Sequence, residues 1–306
     1  MRKKLIAAAA LCLTVFMMSA CGGDKPEQEP AGGDTGASLK ISLEEWPVID
    51  GATALAPYYE AMAAKLLDIP VEEARQHVLC STTDGAYTNL INKDADMIFC
   101  SLPSEDQTAQ AEAAGVKFEC TPFLNGGFVF FVNKDNPVDS LTVDELHNIY
   151  SGKITNWKEV GGNDQEITAY QRSEGSGSQT GIYRFIISKD EIMPAPTEKK
   201  IGDMAGIIDA VADYDNGVGA IGYSYYYYVA NMHYTDQIKL IGIEGVIPSD
   251  ETIADGTYPL INQSHVIIRA DEPEDSILRK IIEWITSEEG QKLGEENGYV
   301  RNAALQ

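Results

Sequence analysis

The sequence predicts an α/β protein of two doubly wound lobes with a ligand cleft between them, on three observations. Apolar, strand-like runs alternate with helical patterns along the chain, the order that builds open α/β sheets. Beyond a leader and tether about 270 residues remain, long for one core and comfortable for two. Two long strand-like runs, "GGFVFFVNKDNP" (126–137) and "TYPLINQSHVIIRA" (257–270), have no helix directly behind them. They can carry the chain from one lobe to the other and back.

The leader comes first. Arg2, Lys3 and Lys4 precede an apolar run from Leu5 to Met18, and Ser19-Ala20 closes it with small residues. That layout predicts a signal peptide over 1–20, too short and wrongly flanked to span a bilayer. Cys21 follows the small pair directly and is the expected lipidation site. Residues 22–38 continue in Gly, Pro, acidic, amide and small polar types, a composition that cannot bury enough apolar surface to fold, so 21–38 is expected to be a lipidated cysteine with a flexible tether. No later segment is apolar enough to cross a membrane.

Charge excludes some partners. The whole chain carries −24. Removing the leader's three cations leaves 20 Lys and Arg against 47 Asp and Glu, or −27. Nucleic acid is therefore not an expected partner. An anionic ligand has to be won by local donors. Cys80, Cys100 and Cys120 are odd in number and irregular in spacing, which is no disulfide framework. Cys80 and Cys100 follow apolar runs and are expected to be buried.

One local device recurs three times. In "PVIDGATALAPYYEAM" (47–62) a short apolar run ends at Asp50-Gly51, and a helical pattern follows through Leu55, Tyr58, Tyr59 and Met62. In "HVLCSTTDGAYTNLI" (77–91) Val78-Leu79 reads as a strand, Thr82 to Gly85 as a turn, and Tyr87, Leu90 and Ile91 as a helix face. "EITAYQRSEGSGSQTGIYRF" (166–185) repeats the plan with Arg172 before its turn. Each helix start offers unpaired backbone N–H groups and a partial positive charge. Hydroxyls add donors, and glycine lets backbone come close to a ligand. Arg172 can hold two oxygens of a tetrahedral anion in a planar fork. Glu174 is near enough to hold the arginine, and Ser176, Gly177 and Ser178 supply neutral dipoles. Three such turns in one chain predict an oxyanion cradle.

Other attractive residues read as structural. Tyr225 to Tyr228 suit core and interface packing, since a run covers every side of its element. Trp157 anchors a loop, and Trp284 belongs to an amphipathic helix through Ile277, Leu278, Ile281, Ile282 and Ile285. The four histidines are scattered without metal-ligand spacing. "GSGSQT" lacks the lysine of a nucleotide loop. No catalytic residue, metal or cofactor is expected.

The chain resembles the phosphate-binding protein of the high-affinity phosphate ABC importers over nearly all its mature length. "YSGKITNWKEVGG" (150–162), "GATALAP" (51–57), "RSEGSGS" (172–178), "GVGAIGYSYYYY" (217–228) and "SEEGQKLGEENGYV" (287–300) carry the resemblance. It implies a two-lobed, type II periplasmic-binding-protein-like fold, with lobe one at 39–128 plus 258–306 and lobe two at 129–257. It also implies phosphate contacts from Thr53, Ala54, Thr83, Ser101, Arg172, Ser176, Gly177 and Ser178, with Glu174 supporting the arginine. Ser101 stands where well-studied members carry an aspartate that accepts the ligand's proton. Serine excludes fully deprotonated oxyanions less strongly, and Asp50 or Asp84 could supply an acceptor instead. The implied role is a lipid-anchored receptor, extracytoplasmic at the cell membrane, that delivers phosphate to a permease and its ATPases. A sensor or adhesin without transport, a receptor for another tetrahedral oxyanion, and a phosphoester hydrolase are the alternatives.

Overall fold

The computed structural model of the chain describes residues 39–195, 200–213 and 217–305. The expected signal peptide, Cys21 and the tether lie outside the described residues. The elements follow one another as β1 (Ile49–Gly51), α1 (Ala56–Leu67), α2 (Val71–Ala74), α3 (Thr82–Asn92), β2 (Met97–Cys100), α4 (Glu105–Ala113) and β3 (Phe118–Asn133). Next come β4 (Ser140–Leu141), α5 (Val143–Tyr150), β5 (Thr168–Ala169), β6 (Gln171–Arg172), α6 (Gly177–Phe185), β7 (Lys200–Ile201) and α7 (Met204–Ala212). The chain closes with β8 (Ala220–Tyr225), β9 (Ile238–Leu240), β10 (Gly242–Ile243), α8 (Asp250–Ala254), β11 (Ile261–Arg269), α9 (Ile277–Thr286), α10 (Glu288–Glu296) and β12 (Val300–Arg301).

The fold is two-lobed, and β3 joins the halves. This strand of 16 residues pairs antiparallel with β11 from Phe118 to Gly127, then with β8 from Phe128 to Val132. The main sheet therefore runs β1-β2-β11-β3-β8-β5, with β9 and β12 also on β3. Parallel pairs, β1 with β2 and β5 with β8, flank these antiparallel crossing strands. β3 begins eight residues before the expected run at 126, because Pro122 disguises the upstream half. Proline has no N–H to give a ladder, and here it sits where the register with β11 shifts between Ser264 and His265.

Buried apolar side chains gather on either side of that crossing. One cluster takes Ile49, Tyr58, Tyr59, Met62, Phe99 and Phe123 with Leu278, Ile281, Trp284 and Ile285 of α9. A smaller one sits beside it around Tyr87, Leu90, Ile98 and Ile267. The third takes Phe128 to Val132 with Leu146, Tyr150, Trp157, Ile207 and Tyr223. Trp157 anchors its loop as expected, donating from Nε1 to the Gly219 carbonyl at 2.9 Å while almost fully buried. The tyrosine run divides its duties: Tyr227 stacks on Tyr299 at 3.7 Å, whereas Tyr225 faces the cavity described below. Among the described residues no helix is long and apolar enough to cross a membrane.

Two local expectations are corrected. Val78 makes only an isolated bridge to Ile49, after a short 3-10 turn over Arg75–His77, and α3 begins at Thr82. The residues read as strand and turn are thus linker and first helical turn, because a brief apolar run carries no period of its own. Cys100 is buried but Cys80 is exposed, its Sγ 3.9 Å from Thr53 Oγ1. It follows β1's neighbour rather than a core strand. All three described cysteines are free thiols.

Candidate functional site

The first loop is shaped by close packing behind it. A side chain on Gly51 would strike the Tyr59 ring and the Phe99 carbonyl, so only glycine lets β1 end against β2. The Ala52 N–H then donates to Phe99 O at 2.9 Å, and a 3-10 turn over Thr53–Leu55 leads into α1, with Pro57 in its first turn. Proline there removes an N–H that has no helical partner anyway. The Tyr299 hydroxyl holds the turn by donating to the Ala54 carbonyl at 2.8 Å.

Asp50 ties the second loop to the first. Its fully buried carboxylate accepts from Gly51 N at 2.7 Å, Ser81 N at 2.8 Å and Asn89 Nδ2 at 2.7 Å. Three protein donors brace the carboxylate, and Asp50 is not among the residues that line the cavity below. Asp50→Ala leaves three donors unpaired and is expected to lower stability by about 3 kcal/mol in urea unfolding. Thr82 enters α3 at φ 65°, a conformation that β-branched residues rarely adopt, and this turn presents Thr83 and Asp84 to the cavity.

The third loop carries the cation. β6 runs parallel to β7 with Arg172 opposite Ile201. The Arg172 N–H donates to Gln179 Oε1 at 2.9 Å and to the Tyr223 oxygen at 3.1 Å, while Tyr223 donates to the same Gln179 oxygen at 2.5 Å. The guanidinium gives Nε to Ile201 O and Nη2 to Gly202 O, each at 3.2 Å. Nη1 is buried without a hydrogen-bond partner. Burial holds the Arg172 pKa below its ordinary value, against the opposing influence of Tyr223 and Asp203. Glu174 does not hold the arginine as expected. Its carboxylate takes the Tyr183 hydroxyl at 2.7 Å and Lys189 Nζ at 3.8 Å. Backbone carbonyls orient Arg172 instead, which spares it a neutralising carboxylate.

Gly175 turns the chain at φ 77°, and Ser176 caps α6 by accepting from Gln179 N at 3.1 Å. Tyr225 donates to the Gly177 carbonyl at 2.7 Å, and burial pushes its own pKa up to about 12. A side chain on Gly177 would come within 2.9 Å of Thr83 Oγ1 and 3.2 Å of Ser101 Oγ. Glycine is what allows the two halves to approach here.

These loops share one cavity of about 240 Å³. Thr53, Ala54, Thr83, Arg172, Ser176, Gly177 and Ser178 all line it. Ser101 lies behind, in an adjoining chamber of about 40 Å³ that also touches Ala54, Thr83 and Tyr225. Ser101 Oγ and Ser178 Oγ are buried and, like Arg172 Nη1, make no hydrogen bond of acceptable geometry; for Ser101 this holds although the Tyr225 phenol is close. An unpaired buried donor costs about 1–3 kcal/mol, a cost that a compact anion accepting from these groups would remove. Sequence reasoning missed Tyr225 and the stretch Gly202-Asp203-Met204, which also line the cavity. The latter is a fourth copy of the same device, β7 then a small turn then α7 with Asp203 as its cap, and could have been found by the same pattern.

Comparison with known proteins agrees with this architecture. The chain is 26% identical over 310 residues to the phosphate-binding protein PstS of Bacillus subtilis (strain 168), covering 98% of this chain and 94% of that one. It is 26% identical over 304 residues to PstS of Staphylococcus aureus (strain MRSA252), covering 97% and 87%. Among solved structures, a putative phosphate ABC transporter substrate-binding protein with bound phosphate from Clostridium perfringens superposes with a TM-score of 0.65 at 23% identity, over 84% of this chain and 99% of that one. An ABC-type phosphate transport receptor from Vibrio cholerae gives 0.63 at 25%, over 84% and 100%. The model of the PBP superfamily domain matches residues 30–289, and the chain belongs to that family.

Proposed function

We propose that this protein is an extracytoplasmic receptor that binds inorganic phosphate between its lobes and delivers it to an ABC-type permease with its ATPases. One observation carries the reading: helix starts from both halves and a buried, carbonyl-held arginine with an unpartnered Nη1 converge on one cavity. Arg172 provides the charged fork. Thr53, Ala54, Thr83, Ser176, Gly177 and Ser178 give neutral donors, which suit a protein of such negative charge. Ser101 acts from behind them. The names of the Bacillus and Staphylococcus relatives support phosphate as the ligand. Lobe one comprises 39–128 plus 258–306 and lobe two 129–257, a division that the two larger core clusters follow except that Ala54, Phe128, Tyr258 and Leu260 pack with lobe two. Titration calorimetry of the purified protein should give saturable one-to-one heats with phosphate. Absence of any heat overturns the reading, and equal heats with sulfate or arsenate widen it to tetrahedral oxyanions generally.

Cys21 becomes the lipidated N-terminus that keeps the receptor at the outer face of the membrane. Cys21→Ala is expected to move the protein from the membrane fraction to the soluble fraction and to abolish acyl-chain labelling. A natural protein that takes up no acyl label, or a Cys21→Ala variant that is labelled as fully as the natural protein, would exclude the anchor at Cys21. Phosphate uptake by cells lacking the protein separates transport from sensing: an undiminished rate argues for a sensor.

A further inference from the structure

Beyond the anion cavity the two halves meet at a second place. The first turn of α4, on one side, faces the Glu174-Gly175 loop and the turn at 188–190, on the other. Lys189 Nζ reaches Asp106 Oδ2 at 2.6 Å and Glu174 Oε2 at 3.8 Å. Gln107, almost fully buried, donates from Nε2 to the Gly175 carbonyl at 3.2 Å and to Asp84 Oδ1 at 3.3 Å. A side chain on Gly175 would collide with the Asp84 carboxylate, so the approach is as close as backbone permits. The loop gripped here continues directly into Ser176, Gly177 and Ser178 of the anion cavity.

Charge adds to the grip. A cavity of about 430 Å³ beside this contact is lined by Glu105, Asp106, Glu174 and Asp190, with Lys189 and Arg184 as its cations. Closing the cleft thus brings carboxylates of α4 toward carboxylates of the opposite half. Lys189 is the cation that bridges them. Without it, the repulsion between Asp106 and the carboxylates opposite would be less compensated.

We propose that Lys189 is the positioning residue of an interlobe latch: with Gln107 it holds the Glu174-Gly175 loop against α4 and sets how long the cleft stays shut on its ligand. This rests on the reading of the cleft as an oxyanion site. Neither residue lines the anion cavity. The latch therefore acts on release more than on encounter, because a closed cleft must open before the anion leaves.

Stopped-flow measurement of phosphate binding tests it. Lys189→Ala should raise the dissociation rate by roughly 3- to 10-fold, the upper end exceeding a lone exposed ion pair because repulsion is unmasked, with the association rate changed less than twofold. Asp106→Asn should act in the same direction. The charge-swapped double variant Asp106→Lys/Lys189→Asp should bring the rate back to within about twofold of the natural protein. Small-angle scattering without phosphate should show a larger radius of gyration for Lys189→Ala than for the natural protein. Unchanged dissociation in both single variants overturns the latch, as does failure of a folded swap to restore the rate. If the natural protein binds no phosphate the oxyanion reading falls, while the scattering comparison still decides the latch.

Discussion

Arg172→Ala is expected to weaken phosphate binding by roughly 30- to 1,000-fold in titration calorimetry, equivalent to about 2–4 kcal/mol. The guanidinium is buried, oriented by the Ile201 and Gly202 carbonyls, and has Nη1 left to give. Among the described residues that line the cavity it is the cation, and Asp84, Glu174 and Asp203 are the carboxylates. Removing it would leave the ligand to neutral dipoles in a negative surrounding. Arg172→Lys should recover only part of the loss, since an ammonium cannot span two carbonyls and an anion in one plane. An alanine variant that binds within threefold of the natural protein would show that the helix starts suffice, and would remove the arginine from the site.

Phe128→Ala is expected to cost about 3–5 kcal/mol of stability in urea unfolding. Phe128 is fully buried at the point where β3 passes from one half to the other. Its ring packs with Phe130, Phe185, Tyr223 and Tyr225 at centroid distances of 5.5–5.9 Å. Gly181 of α6 lies so near that an added Cβ would sit 2.5 Å from the ring. The same ring therefore seats the helix whose first turn faces the anion cavity, and phosphate affinity should fall together with stability. A variant that loses stability but binds phosphate as tightly as before would separate α6 placement from this core contact.

Much of the architecture is legible in the residues because it follows from local chemistry. Gly, Ser and Thr between an apolar run and a helical period announce a helix start with spare donors, and three of the cavity's loops can be marked that way. The amphipathic pattern from Ile277 to Ile285 likewise announces α9 and its buried face. Where the local signal is weak the reading slips. Val78-Leu79 is too short to carry a period, and Pro122 hides half of β3 until its partner strand and register shift are known.

Pairings between distant residues are another matter, because side chains of one type offer the same bonds to many partners and only proximity selects among them. Glu174 stands two residues from Arg172, yet packing turns it to Tyr183 and Lys189. Asp50 could equally have faced a ligand, but packing buries it against Ser81 and Asn89 and away from the cavity lining. Cys80 follows an apolar run as Cys100 does, and only the path of the chain leaves one outside and the other within. Composition and periodicity thus specified the kinds of element and the donors they expose. Which donors meet in one cavity, and which carboxylates are spent on bracing it, was decided when the chain closed upon itself.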